Sequence, residues 1–166
     1  MRAGGGEPAA AGLPAGLTVR PFRLGDLPEI MRLEKEAFGR HAFDAATFLY
    51  YATVERQGFL VCELEGEFCG YVVARRSDLR RTLGEIPSIA ISPALRRQGI
   101  GRLLLEWALA HLVGRGVEVV RLQVAVENTA AIALYESAGF SRRRRLEDYY
   151  GRDEDAVEME KQLAER

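Results

Sequence analysis

Two stretches decide the fold: Ser88-Ile89-Ala90-Ile91-Ser92-Pro93-Ala94-Leu95-Arg96-Arg97-Gln98-Gly99-Ile100-Gly101 and Glu127-Asn128-Thr129-Ala130-Ala131-Ile132-Ala133-Leu134-Tyr135-Glu136-Ser137-Ala138-Gly139-Phe140. The first leaves an apolar strand and enters a helix through glycines. Backbone N–H groups at such a junction converge at the positive end of the helix dipole, where glycine lets the chain approach an anion closely. It lacks the Lys-Ser/Thr ending of an ATP-type phosphate loop and the spacing of a dinucleotide fingerprint. In the second stretch Asn128 reads as a helix cap and Gly139 as the left-handed residue that ends the helix. At 1.5 Å per residue, Asn128 and Tyr135 share a helical face about 10 Å apart, so one linear ligand can touch both. Ala130, Ala131 and Ala133 keep that helix slim enough for a ligand to lie against it.

Working outward, residues 86–91 read as a central strand that Pro87 interrupts, because proline cannot donate to a ladder; a bulge or a local break in pairing is expected there. The helix after Gly101 runs through Val113 and stops at Gly114 and Gly116, with Arg102 and Glu106 its charged residues, so most of it is buried. A Val-rich strand follows over 117–126. Toward the N-terminus, a short strand over 17–23 precedes Asp26-Leu27-Pro28-Glu29, where an N-cap acid and an early proline mark a helix carrying Ile30, Leu33, Ala37 and Phe38 inward. A second helix starts at Asp44, and residues 59–64 and 68–74 form a hairpin. Two closing strands, over 140–146 and 154–163, complete an α/β chain without repeats. Residues 1–16, rich in Gly, Pro and Ala, cannot offset their ordering entropy and are expected to be a disordered tail, leaving 17–166 as one domain.

The 166 residues suffice for a single core, and a 48% hydrophobic, 28% charged composition is that of a globular chain. Net charge is −1, so no global field draws nucleic acid or an anionic membrane. No apolar run reaches bilayer length and no secretory signal is visible, so a cytoplasmic location is expected. Cys62 and Cys69 are too few for a disulfide framework or a thiol zinc site, and no metal is expected. They flank a turn at Glu65 and Gly66 that sets them opposite each other, or offset if bulged. Arg142, Arg143, Arg144 and Arg145, near Asp148, Asp153 and Asp155, read as a solvated face. His111 follows the Ile100, Leu104 and Trp107 stripe and reads as a core-boundary residue.

Together, the Ser88-Ile-Ala-Ile-Ser-Pro93 strand, the Arg96-x-x-Gly-x-Gly101 loop and the Asn128-x-x-Ala-x-x-Leu-Tyr135-x-x-x-Gly-Phe140 helix resemble the GNAT superfamily of acyl-CoA-dependent N-acetyltransferases. Within it they look like the ribosomal-protein-alanine enzymes (RimI-like), over residues 17–163. Tyr149-Tyr150-Gly151-Arg152-Asp153-Glu154-Asp155-Ala156 is similar to a run in protein N-terminal acetyltransferases. The resemblance implies the GNAT fold, a mixed α/β (α+β) sheet of six to seven strands with splayed central strands and about four helices. It implies acetyl-CoA as cosubstrate, its pyrophosphate cradled by Arg97, Gln98, Gly99, Ile100, Gly101 and Arg102 with Arg96 beside them. The backbone of Ile89, Ala90 and Ile91 would pair with pantetheine in the splay, Asn128 would hydrogen-bond its arm, and Tyr135 would face the thioester sulfur as general acid.

Energetics refine these roles. A thiol near pKa 8.5 does not readily take a proton from a phenol near 10, a gap of about 2 kcal/mol. Tyr135 therefore has a lowered pKa or, as we favour, hydrogen-bonds the departing thiolate. Gln123 stands where RimI-like enzymes carry a glutamate proposed as base, and an amide cannot accept the proton. Glu85, matching a position from which other members work through water, is the candidate replacement, with Glu127 a weaker one. Only a neutral amine attacks a thioester: an α-amine near pKa 7.8 is neutral in roughly a quarter of molecules at pH 7.4, a lysine side chain in about 0.1%. A site without a strong base thus suits the α-amine of a peptide or protein N-terminus; the resemblance implies a ribosomal protein among the candidates and a loop with Tyr149 and Tyr150 over its first residues. Arg40 and His41 replace a Pro-Trp pair common in relatives, which bears on acceptor choice. The rivals are a small-amine acetyltransferase and a catalytically silent acyl-CoA-binding module.

Overall fold

The structure is a computed structural model that describes residues 12–163. Its strands are β1 (Leu17–Pro21), β2 (Phe59–Leu64), β3 (Glu67–Arg76), β4 (Leu83–Ile91), β5 (Val119–Ala125), β6 (Ser141–Gly151) and β7 (Glu154–Gln162). Its helices are α1 (Leu27–Phe38), α2 (Ala45–Val54), α3 (Ile100–Gly114) and α4 (Thr129–Ser137). The strands form one mixed sheet in the order β1-β2-β3-β4-β5-β7-β6. Alternation along β3 sends Val72 to one face and Tyr71 and Val73 to the other. On the first face, Leu104, Leu105, Ala108 and Leu112 of α3 bury against Val72, Val120 and Leu122. On the second, Ile30 and Leu33 of α1 and Phe48 of α2 pack on Phe59, Tyr71 and Val73. Each such side chain contributes about 1.5–3 kcal/mol by leaving water.

The sheet opens in its middle. β4 and β5 run parallel for three pairs, Leu83 with Val119, Gly84 with Val120 and Glu85 with Arg121. Beyond Glu85, β4 continues along β3 to Ile91 while β5 continues along β7 to Ala125. The β3 register advances from Val73 to Arg75 while β4 goes from Ser88 to Glu85, so β4 holds an extra residue at Ile86 and Pro87. Both alternatives foreseen at Pro87 therefore occur: a bulge toward β3 and lost pairing toward β5.

Other expectations need correction. Asp26 precedes α1 but makes no side-chain cap. Its carboxylate accepts two bonds from the Arg20 guanidinium, at 2.8 and 2.7 Å, and one from Arg23 N–H at 2.7 Å. A bidentate guanidinium outcompetes a helix amide. Tyr149 and Tyr150 lie on β6 rather than on a free loop: β6 extends to Gly151, and its residues 147–150 oppose the single residue Asp155 between the Leu146–Ala156 and Gly151–Glu154 pairs. The expected disordered tail falls for residues 1–11 outside the described residues, and residues 12–16 form no helix or strand. Cys62 and Cys69 are free, buried thiols 3.0 Å apart. A two-residue turn at Glu65 and Gly66, both at positive φ, joins their strands, and a bulge sets Cys62 against Gly70.

α4 is bounded as its sequence predicts. Asn128 Oδ1 accepts Ala131 N–H at 3.1 Å, and at the other end Gly139 N–H and Phe140 N–H return to the carbonyls of Glu136 and Tyr135 at 3.0 Å each. This closing motif requires the left-handed φ of +92° at Gly139, where an added Cβ would also lie 2.7 Å from Lys161 Nζ. Gly139→Ala is expected to cost about 1 kcal/mol or more in urea unfolding, the usual penalty for a strained αL alanine; an unchanged midpoint would show that the motif contributes nothing.

Candidate active site

The wedge between β4 and β5 is lined on its α3 side by the glycine loop. Gly99 precedes α3 at a left-handed φ of 83°, and Arg97 also has positive φ. The first helical bond runs from Leu103 N–H to Gly99 C=O at 3.0 Å, so the amides of Ile100, Gly101 and Arg102 have no partner inside the helix. A Cβ on Gly101 would stand 3.4 Å from Leu134 and 3.6 Å from Ile91, so this glycine lets the first turn close on α4 and β4. Arg96, Arg97, Gln98 and Gly99 are exposed around these amides. Arg96 Nε donates to Ile91 C=O at 3.2 Å, while Arg102 is held by Glu106 at 2.9 Å and Ser137 at 3.2 Å. Convergent amides, flanking guanidiniums and a glycine cradle fit a diphosphate.

On β4, Ser92 N–H bonds to Cys69 C=O of the β3 side at 2.9 Å. By antiparallel alternation, the Ile89 and Ile91 peptide groups point away from β3 into the wedge, whereas those of Ala90 turn to Tyr71. Of the three residues expected to pair with pantetheine, the two isoleucines are thus the ones oriented for it. Asn128 spends its carbonyl on the cap of α4, leaving its NH₂ to donate.

Tyr135, 7% exposed, packs edge-on against Phe140 at 5.9 Å. It lies within Coulomb reach of Tyr71 on β3 and of Tyr150 on β6, which flank the wedge on opposite sides. Burial, aided by Tyr150, raises its phenol above the ordinary range. That is opposite in direction to the lowered pKa that proton donation to sulfur would need.

The opposite face of the sheet carries charged groups. Glu85 is half-exposed, with Arg75 Nε at 3.8 Å. Arg75 is otherwise engaged by Asp78 at 2.8 Å and lies over the Tyr50 ring. Gln123 is not free: its amide donates to Glu158 at 3.2 Å. Glu127 is exposed just before α4. Tyr149 and Tyr150 meet edge-on at 4.9 Å, and Tyr150 approaches His41 at 5.6 Å. Burial, with a smaller effect of Tyr149, pushes Tyr150 up to about 12. Arg40 and His41, the latter at 2.8 Å, both hold Glu154 of β7, so the turn after α1 is tied to the β6–β7 hairpin. The four arginines of β6 are exposed and each meets a carboxylate: Arg142 Glu136, Arg143 and Arg144 Glu158, Arg145 Asp155. His111 is half-buried beside Glu55, at 2.9 Å.

Sequence reasoning missed three buried carboxylates, Glu34, Glu55 and Glu158, of which Glu55 is held by His111 and Arg115. Glu34 of α1 lies at i+4 from Ile30, and that acid on an apolar stripe was the available signal. Glu158 of β7 is 5% exposed, directly across from Gln123. Among the described residues no cluster of three or more His, Cys, Asp or Glu is placed to hold a metal, and no helix is long and apolar enough to cross a membrane. Burial works to raise the Glu158 pKa, but bonds from Arg143, Arg144 and Gln123 hold it below the usual range. The stabilisation it gives is therefore present above its unfolded value of about 4.3 and is lost as pH falls through the folded one. Glu158→Gln should flatten the loss of stability below about pH 4.5 in urea unfolding at a series of pH values; an unaltered acid limb would contradict this assignment.

Comparison with known proteins places this geometry. Residues 26–140 match the model of the Acetyltransferase (GNAT) family. The [Ribosomal protein bS18]-alanine N-acetyltransferase of Escherichia coli K12 is 34% identical over 148 residues, covering 86% of this chain and 95% of that protein. The mycothiol acetyltransferase of Thermobispora bispora is 34% identical over 142 residues, 78% of this chain, which spans about half (48%) of that protein's length. The crystal structure of Ard1 from Thermoplasma volcanium superposes with a TM-score of 0.85 at 25% identity, over 91% of this chain and 100% of that one. A sheet opened after Glu85, a glycine loop leading into α3 and a capped α4 carrying a buried tyrosine are thus met in a chain that belongs to the GNAT acetyltransferase family.

Proposed function

We propose that the protein transfers the acetyl group of acetyl-CoA to the α-amine of a peptide or protein N-terminus by direct attack in a ternary complex. The observation that carries this reading is the wedge, where β4 and β5 part beside the amides of α3 and the buried Tyr135. In this reading acetyl-CoA lies along it. The diphosphate meets the amides of Ile100, Gly101 and Arg102 with Arg96, Arg97, Gln98 and Gly99 around them. The pantetheine amides meet the Ile89 and Ile91 backbone and the Asn128 NH₂, and the sulfur meets Tyr135.

Chemistry follows from the two sides of the wedge. The neutral amine adds to the thioester carbonyl carbon, the C–N bond forms, and the C–S bond breaks with its electron pair going to sulfur. Because burial raises the Tyr135 phenol, it stays protonated and donates a hydrogen bond to the forming thiolate rather than surrendering a proton. The proton lost by the amine passes through water to Glu85, whose one ion-pair neighbour among the described residues, Arg75, stands at 3.8 Å. Gln123, tied to Glu158, takes no proton. Tyr149 and Tyr150, held near His41, bound the acceptor's first residues.

The near-complete overlap with the bS18-alanine enzyme supports a protein N-terminus, with a ribosomal protein among the acceptors; the cytoplasm is the proposed place of reaction. A second reading, a small amine, is favoured by the match to a relative whose name gives another acceptor. Release of CoA thiol with Ala-starting and Met-starting peptides against a panel of small amines decides: turnover of the peptides is expected, and turnover of small amines alone would overturn it. If acetyl-CoA binds by calorimetry yet no amine in either set releases free thiol, the chain is a silent binding module. Tyr135→Phe should lower kcat about 10- to 10³-fold with acetyl-CoA affinity unchanged, within the range for acid–base groups. Glu85→Gln should displace the acidic limb of the pH–rate profile; an identical profile returns the role to water or Glu127.

A further inference from the structure

Glu34 carries a carboxylate that the reaction does not use. It is 2% exposed, on the face of α1 that sends Ile30 and Leu33 into the core. A buried carboxylate persists only when hydrogen bonds replace its water, and here the replacements come from two different parts of the molecule. Oε1 accepts Phe43 N–H at 3.0 Å. Phe43 lies just past the turn Gly39–His41, whose Arg40 and His41 grip Glu154 beside Tyr150. Oε2 accepts the Ser88 hydroxyl at 3.0 Å and the Tyr71 hydroxyl by a short bond, and these two hydroxyls are 3.0 Å from each other. Ser88 stands between the Pro87 bulge and Ile89, where the β4 backbone begins to face the wedge.

We propose that Glu34 is a positioning residue that locks the acceptor-side turn to the donor-side strand, so that the amine and the thioester are held in one register. The proposal rests on the reading of the wedge as the acetyl-CoA site. One anion with three donors spread over α1's neighbours leaves little freedom to either arm: moving residues 39–43 or β4 alone leaves a donor unpaired in the core. Tyr71 and Ser88 act as the donor-side arm and Phe43 N–H as the acceptor-side arm. Glutamine at 34 keeps the shape but has one acceptor oxygen instead of two, so it cannot serve both arms as donors present them.

The arms can be cut separately. Ser88→Ala removes a donor-side hydroxyl and leaves the Phe43 bond in place; it should raise KM for acetyl-CoA about three- to tenfold while KM for an Ala-starting peptide stays within about twofold, the range for one buried hydrogen bond. Tyr71→Phe should behave likewise. Glu34→Gln should raise both constants, with kcat falling because the two reactants are no longer held together. Should Glu34→Gln fail to fold, the split in Ser88→Ala and Tyr71→Phe still decides. Lower melting temperatures with both KM values unmoved would mean a purely structural cluster and would overturn the lock. Calorimetry of the unmodified protein separates the failures: no heat with acetyl-CoA removes the donor-site reading and the lock with it, whereas normal heat with unchanged variants removes the lock alone.

Discussion

The structure depends on an interruption of backbone hydrogen bonding. β4 and β5 are neighbours in the sheet, yet they pair only from Leu83 to Glu85 and from Val119 to Arg121. A central strand edge is normally consumed by its neighbour, and peptide groups left unpaired beside a core must find another partner. Pro87 makes the interruption cheap, since it brings no N–H to the ladder, and the bulge it sits in absorbs the change of direction. The isoleucines that follow offer their peptide groups to whatever enters. A ligand that is itself a chain of amides, as pantetheine is, can take the place of the missing strand.

The rest of the site is built around that opening. α3 begins where the wedge widens and points its uncompensated amides at one end. α4, fixed by Asn128 and Gly139, brings Tyr135 to the other, between Tyr71 and Tyr150. In the proposed reaction, the low-dielectric surroundings that raise the phenol's pKa would make its hydrogen bond to a forming thiolate stronger than in water. On the sheet face opposite α3, charges of opposite sign alternate across the sheet, Arg75 beside Glu85, Arg121 on Glu160 and Arg143 on Glu158, so most are neutralised by a neighbour. Glu85 is the least committed carboxylate of that row.

Features that were legible in the amino-acid sequence are those whose cause is local. Asn128, Gly139, Pro87 and Gly99 act on their own backbone or on amides a few residues away, and the structure finds each doing so. The solvated face of Arg142–Arg145 also reads through, because all four are exposed and each finds an acid on the adjacent strand or helix. What could not be read depends on partners distant in sequence. Asp26 looks like a helix cap until Arg20 is folded against it. Gln123 looks like a lost base, and only pairing with β7 shows its amide serving Glu158. Glu34 goes unread because its hydroxyl partners lie on β3 and β4, far from it in sequence. Tyr149 and Tyr150 read as a loop because strand register with β7 is lost around Asp148, a residue at positive φ.

The most direct measurement of the account is amide hydrogen exchange, followed residue by residue, with and without coenzyme A. Filling the missing strand must slow exchange at Ile89 and Ile91 and at the amides of Ile100, Gly101 and Arg102, and leave the outer pair β1 and β2 unaffected. Protection confined to some other surface, with these five amides exchanging as they do in the free protein, would contradict it.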